Sequence, residues 1–370
     1  MMRSCILTWW YMRLIQRPHH LFKYLKAFGP VTIFAMRGWR QPHCEIPCEP
    51  PSQLWNRTFP IPSCLSSRFP SLQEIKDWQE RRLFRDFCEF EGDLHVVARS
   101  PDFPIPKKPR CLIYDCMDAW QSFSHASDLV AVNELRLCAQ ADRIWVVSKA
   151  LEENLRPAFG DKVWYVPNGV DIEHFRQAIA LRGTRQIDPP TAVYIGCIAE
   201  WFDTQLLAAV ASRLSQWKFK LIGPVHVPTG LAAQLEQPNI ELVGVKPYQD
   251  LPMLMAQATV GIIPFVINDL IKATNPIKLY EYLAAGLPVV STPMPEVVAM
   301  QLDGLIACEE TAEGFARRIA QFGSAHAAEK ALEIAEHHSW ESRFAFGLQG
   351  LGFDCTAREK IDLDSPSNSY

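Results

Sequence analysis

Long apolar runs are missing from this chain. No stretch of about 18 uncharged apolar residues occurs, so no membrane-spanning helix is expected. A secretion signal is not expected either. The start, MMRSCILTWWYMRLIQ, is apolar for only a few residues and has no small-residue cleavage site. No C-x-x-C pair and no zinc-type Cys/His spacing exists among the 11 cysteines. Reduced thiols of a cytosolic protein, several packed as small apolar groups, are the expectation. A large excess of one charge sign is also absent. The net charge is −4, which disfavours a nucleic-acid partner held by overall charge. No G-x-G-x-x-G follows a predicted strand, which argues against a dinucleotide dehydrogenase. Solenoid repeats and low-complexity tracts are lacking. What is present is ordinary globular composition, 48% hydrophobic and 21% charged, over 370 residues, enough for two domains.

Two α/β halves are predicted. The first has strands near 5–10, 31–36, 94–98, 112–115, 143–147 and 163–166. Helices are expected near 18–27, 72–90, 131–140 and 148–157, the last with Ser148 as N-cap. Residues 41–70 are Pro-rich and irregular, a surface excursion or functional loop. Residues 176–190 read as a linker. From 192 to about 337, short Val- and Ile-rich runs alternate with amphipathic segments. That alternation describes a parallel sheet wrapped by helices on both faces. Such sheets bind ligands at the carboxyl ends of their strands.

The stretch PFVINDLIKATNPIKLYEYLAAGLPVVST lies at one such strand end. Asn275 before Pro276 signals a helix start, with Asn275 as N-cap and Lys278 in the first turn. Free N–H groups, the helix dipole and the Lys278 ammonium together suit a phosphate. Glu281 lies three residues on, on the same face, placed to accept two ribose hydroxyls. A nucleotide diphosphate is one reading; a solvated surface pair is the other.

This stretch resembles the donor-binding signature of GT-B glycosyltransferases, particularly the retaining family 4 type. Glu281 matches the second Glu of that family's pair, which contacts the ribose. Further similar segments follow in order. Tyr194 to Gly196 is similar to the strand that opens the nucleotide half, and Leu221 to Pro224, with Gly223, to its second strand. Val243 to Tyr248 is similar to the segment whose backbone holds the nucleobase. Val166 to Asp171 with Phe175 matches the interdomain turn, and Ser339 to Glu341 the start of the last, returning helix. The likeness covers most of residues 1–353. Its closest subgroup is surface-polysaccharide enzymes of the teichuronic-acid type.

The resemblance implies an α/β fold of two Rossmann-like domains facing across a cleft. It places an acceptor-side domain at 1–172, a donor domain at 173–338, a returning helix at 339–353 and a polar tail at 354–370. It implies donor contacts from Gly196, Gly223, Gly244, Val245, Tyr248, Thr274, Asn275, Lys278 and Glu281. Two departures stand out. Ala273 occupies the place of the first Glu, a sugar contact, and the usual Arg and Lys after the strand opening the second half are missing. Lys278 then leads as the group that neutralises the diphosphate. Glu200, in the substituted loop, either caps structure or touches an acceptor.

In the first half, Asp115 and Asp118 end a strand where family members often carry a His facing the donor sugar. Either carboxylate is placed for sugar hydroxyls, or for a general base if the reaction inverts, or simply caps the next loop. Arg17 and His19, at a helix start marked by Pro18, are candidates for phosphate or acceptor. Residues 1–40 hold seven Lys and Arg, eight aromatics and no acid. They fit a peripheral contact with the inner face of a membrane, or a buried strand beside a solvated helix.

The expected function is transfer of a sugar from a nucleotide diphosphate, UDP- or GDP-linked, to a glycan or lipid-linked acceptor. By resemblance the reaction is retaining. No Asp-x-Asp follows a predicted strand, so no metal and no other cofactor is expected. Two alternatives remain: a non-catalytic nucleotide- or glycan-binding partner, and a sugar-nucleotide epimerase.

Overall fold

The computed structural model describes residues 1–8, 15–35, 54–55, 69–124, 126, 128–322 and 328–352. The first half builds a seven-stranded sheet, all neighbours parallel, in the order β3-β2-β1-β4-β5-β6-β7. Its strands are β1 Ser4–Thr8, β2 Val31–Phe34, β3 Leu54–Trp55, β4 Leu94–Ala98, β5 Leu112–Cys116, β6 Arg143–Val146 and β7 Val163–Tyr165. The second half builds a six-stranded parallel sheet, β10-β9-β8-β11-β12-β13. These are β8 Thr191–Ile195, β9 Lys218–Ile222, β10 Ile240–Gly244, β11 Val260–Ile263, β12 Val289–Ser291 and β13 Ile306–Cys308. Every residue of β1, β4, β5, β8 and β11 is buried. Helices cover both faces of such sheets, which is why the strands read as continuous apolar runs.

In each sheet the strand order reverses once, at β1/β4 and at β8/β11. Crevices form at such switch points, beyond the carboxyl ends of the strands. The two crevices face each other. The chain passes between the halves twice, and the crossings touch: Val170 N–H donates to the His338 carbonyl at 2.9 Å, and Val170 bridges to Ser339. A side chain at Gly169 would stand 2.8 Å from that carbonyl, so the approach needs glycine. The final helix, Trp340–Leu348, packs into the first half's core beside Trp145. Trp145 Nε1 and Arg143 Nη1 both donate to the Gly347 carbonyl, at 3.0 and 2.8 Å.

Several expectations are adjusted. The segment expected as a linker at 176–190 holds a helix, Gln177–Arg182, because Ala178 is fully buried in the second core. Ser148 caps the helix Lys149–Phe159 as expected, accepting from Leu151 N–H at 3.3 Å. The seven described cysteines are free thiols. Trp9, Trp10, Tyr11, Arg13, Arg37, Trp39 and Arg40 lie outside the described residues. In the described part of 1–40, Phe22, Tyr24 and Phe34 are core and Lys23 pairs with Asp171 at 2.8 Å. Phe34 is thus on a buried strand as expected, while the helix Arg17–Lys26 that carries Phe22 and Tyr24 is packed against the core rather than solvated. Among the described residues no helix is long and apolar enough to cross a membrane.

Candidate active site between the two domains

A cavity of about 350 Å³ occupies the cleft. One wall comes from the first half: Ile15, Gln16, Arg17, Pro18, Met117, Asp118 and Phe123. The other comes from the ends of β8, β9 and β11 and from the helix Ile277–Ala284. The helix start opens on this cavity, lined by Asn275, Pro276, Ile277, Lys278 and Glu281.

The helix begins one residue later than Asn275 predicts. Pro276 is the N-cap, and no side chain caps the turn. Asn275 is buried and its amide is engaged elsewhere. Its Oδ1 accepts from Asn168 N–H at 3.2 Å, and its Nδ2 donates to Tyr280 Oη at 3.1 Å and to Glu296 at 2.8 Å. Asn168 of the first domain, with Tyr280 and Glu296 of the second, claims the amide that would otherwise cap the helix. Lys278 is therefore the second helical residue rather than the third.

Lys278 is half-buried, and among the described residues it has no hydrogen bond or ion pair. Its ammonium lies over the rings of Phe265 at 5.3 Å and Tyr194 at 5.5 Å. Burial pulls its pKa down, while Glu281 pushes it back up. Gly196 makes this position available. A Cβ there would stand 2.4 Å from Lys278 Cε and 2.9 Å from Nζ. Gly223 lies against Gly196, where a Cβ would meet the Gly196 carbonyl at 2.0 Å. Glu281 is 9% exposed, lines the cavity and is pushed up to about 7 by burial, with Lys278 opposing. A cation at a helix start with a carboxyl one turn deeper can hold a phosphate beside a diol.

Other expected residues divide clearly. Val245 and Tyr248 line the cavity, but Gly244 does not. The Tyr248 ring stacks on His174, centroids 4.2 Å apart, which fixes it. Thr274 lines the cavity, yet its hydroxyl donates to the Leu270 carbonyl at 2.8 Å. Asp118 lines the first-half wall and is pushed up to about 7 by burial. Asp115 does not reach the cavity. It is fully buried and gripped by Arg17 Nε at 3.0 and 2.9 Å. A carboxylate held by a guanidinium in the core is not a free base, so the catalytic expectation for Asp115 is withdrawn. Arg17 lines the cavity; its Nε pairs with Asp115 and its Nη1 donates to the Pro167 carbonyl and Asn168, while its buried Nη2 has no hydrogen-bond partner among the described residues. His19 does not line the cavity, and its Nδ1 accepts from Gln16 N–H at 3.1 Å, closing the helix start. Glu200 is exposed and does not line the cavity.

Sequence reasoning missed Trp201, Phe265 and Cys197 on the donor-side wall, and Phe123 opposite. Their spacing carries no periodic signal, because each sits in a loop that follows a strand. It also missed Glu296, which sits at the start of a short helical turn after β12.

With this geometry in place, the relatives can be compared. Residues 189–324 match the model of the family "Glycosyl transferases group 1". The chain has the GT-B fold. A putative teichuronic acid biosynthesis glycosyltransferase, TuaH of Bacillus subtilis (strain 168), is 29% identical over 266 residues. That match covers 63% of this chain and 64% of that protein, so it spans a little under two thirds of the relative. Among solved structures, Anabaena HepE in complex with UDP and glucose superposes with a TM-score of 0.65 at 17% identity, covering 95% of this chain and 100% of that one. Sucrose-phosphate synthase from Thermosynechococcus elongatus gives 0.69 at 14% identity, covering 94% and 98%. WaaG, a glycosyltransferase involved in lipopolysaccharide biosynthesis, gives 0.61 at 14%, also covering 94% and 98%.

Proposed function

We propose that this GT-B chain is a glycosyltransferase of bacterial surface-polysaccharide assembly. It moves a sugar from a nucleotide-diphosphate donor to a glycan or lipid-linked acceptor. The observation that carries this reading is the unpartnered Lys278 ammonium at a helix start that opens on the cleft, with Glu281 one turn deeper. A UDP-linked donor is favoured by the HepE complex with UDP and glucose.

In this mechanism the helix start and Lys278 stabilise the charge that develops on the departing diphosphate. They supply the positive charge for the leaving group, so the reaction is proposed to need no metal. The transfer retains configuration: a donor phosphate oxygen takes the acceptor proton on the face that the leaving group vacates. Asp118, on the opposite wall, holds a sugar or acceptor hydroxyl. The cleft walls exclude water and limit hydrolysis. A lipid-linked acceptor would bring the chain to the cytoplasmic face of the membrane.

The test is a thermal-shift screen with UDP, GDP, ADP and dTDP, followed by nucleotide release from sugar donors with an acceptor panel. UDP is expected to raise the melting temperature, because it binds only the folded state. Lys278→Ala should lower release about 100-fold with a modest stability loss. Glu281→Ala should weaken nucleotide binding roughly tenfold, the scale of a lost charged hydrogen bond. Wild-type release and affinity in both variants would refute the site.

One observation favours a second reading. Ala273 is buried against the first half's apolar cluster, where the resemblance places a sugar-contacting Glu. A non-catalytic binding partner would bind nucleotide without turnover across the whole panel.

A further inference from the structure

Glu296 sits at the start of the helix Pro295–Val298, just after β12, and is 6% exposed. Its carboxylate spans the two domains. Oε1 accepts from the backbone N–H of Lys149 at 2.7 Å, the first residue of a first-domain helix. Oε2 accepts from Tyr165 Oη at 2.6 Å, on β7 of the first domain, and from Asn275 Nδ2 at 2.8 Å. Asn275 is itself tied to the first domain by Asn168. Asn168 N–H donates to Asn275 Oδ1 at 3.2 Å, and Asn168 Nδ2 to the Asn275 carbonyl at 2.7 Å. Lys278 follows three residues later.

A buried carboxylate needs donors. This one has three, two of them from the opposite domain, and it faces the positive end of the helix Lys149–Phe159. Parting the domains would break both cross-domain bonds at once. Moving Asn275 would break the third. Separation of the domains and displacement of the donor helix are therefore coupled through one side chain.

We propose that Glu296 is a positioning residue that locks the two domains closed and, in the same contact, fixes the start of the helix that delivers Lys278 to the cavity. It touches neither donor nor acceptor. What is delivered rests on the transferase reading; the lock itself does not.

The experiment compares wild type, Glu296→Gln and Tyr165→Phe by small-angle X-ray scattering without ligand and by titration with UDP. Gln keeps the volume but offers one acceptor oxygen and a donor in place of two acceptors, so it cannot serve all three N–H and O–H groups. Tyr165→Phe removes one donor and leaves the helix untouched. Glu296→Gln should show a larger radius of gyration and roughly tenfold weaker UDP binding, the loss expected for a charged hydrogen bond. Tyr165→Phe should move both in the same direction by less. A residue that only stabilises the fold would lower the melting temperature while scattering and affinity of the folded protein stayed at wild-type values. That result overturns the proposal, as does a change in scattering with unchanged UDP affinity. If wild type binds none of UDP, GDP, ADP or dTDP, the transferase reading falls, and the scattering alone then decides the lock.

Discussion

Glu281 sets stability against chemistry at a single position. Its pKa rises from 4.5 to about 7, mainly through burial. The folded state thus holds the proton more tightly than the unfolded chain does. Stability falls as pH rises from 4.5 toward 7, and the full penalty applies above that. Glu281→Gln should therefore stabilise the protein by about 3 kcal/mol near pH 8 and by almost nothing near pH 4. Urea denaturation of both proteins at the two pH values measures this. Equal differences at both would show that burial does not penalise the charge. Lys278 and Glu281 were legible as a pair because they lie within one helical turn. Asp115 and Arg17 were not. They are 98 residues apart, and nothing local in the sequence says that one neutralises the other.

At the scale of elements, the donor site is a glycine-lined strand end meeting a helix start. Strand β8 ends at Ile195, and the missing side chain at Gly196 is what lets Lys278 lie across the loop. Gly196→Ala should push the ammonium out of place and lower sugar transfer by about 10- to 100-fold, a loss of the order of one misplaced stabilising group. The stability cost should be about 1–2 kcal/mol, since its φ is positive. Gly230→Ala is the control: no atom lies within 4 Å of its added methyl, so transfer should be unchanged. Equal losses in the two variants would remove Gly196 from the site. The sequence pattern located these elements within a few residues, because alternating buried strands and amphipathic helices leave a strong periodic signal. The exact helix start escaped it. Asn275 has a capping residue's identity, yet its amide is claimed by Asn168 and Glu296, partners that only the tertiary fold brings near.

At the scale of the molecule, two parallel sheets present their switch points to each other, and two crossings of the chain meet at Val170 and Ser339. The halves themselves were legible from their alternation. The polar chain between them was not. It runs from Asp115 through Arg17, Asn168 and Asn275 to Glu296, and each link joins residues remote in sequence. In the proposed mechanism one short helix turns its positive end to a pyrophosphate across this groove. A crystal structure of the protein with UDP tests it most directly. Diphosphate oxygens should lie within hydrogen-bond reach of the Lys278 ammonium and the first helical N–H groups, with the ribose hydroxyls on Glu281. UDP bound elsewhere, or in the cavity with its phosphates turned away from that helix, would contradict it.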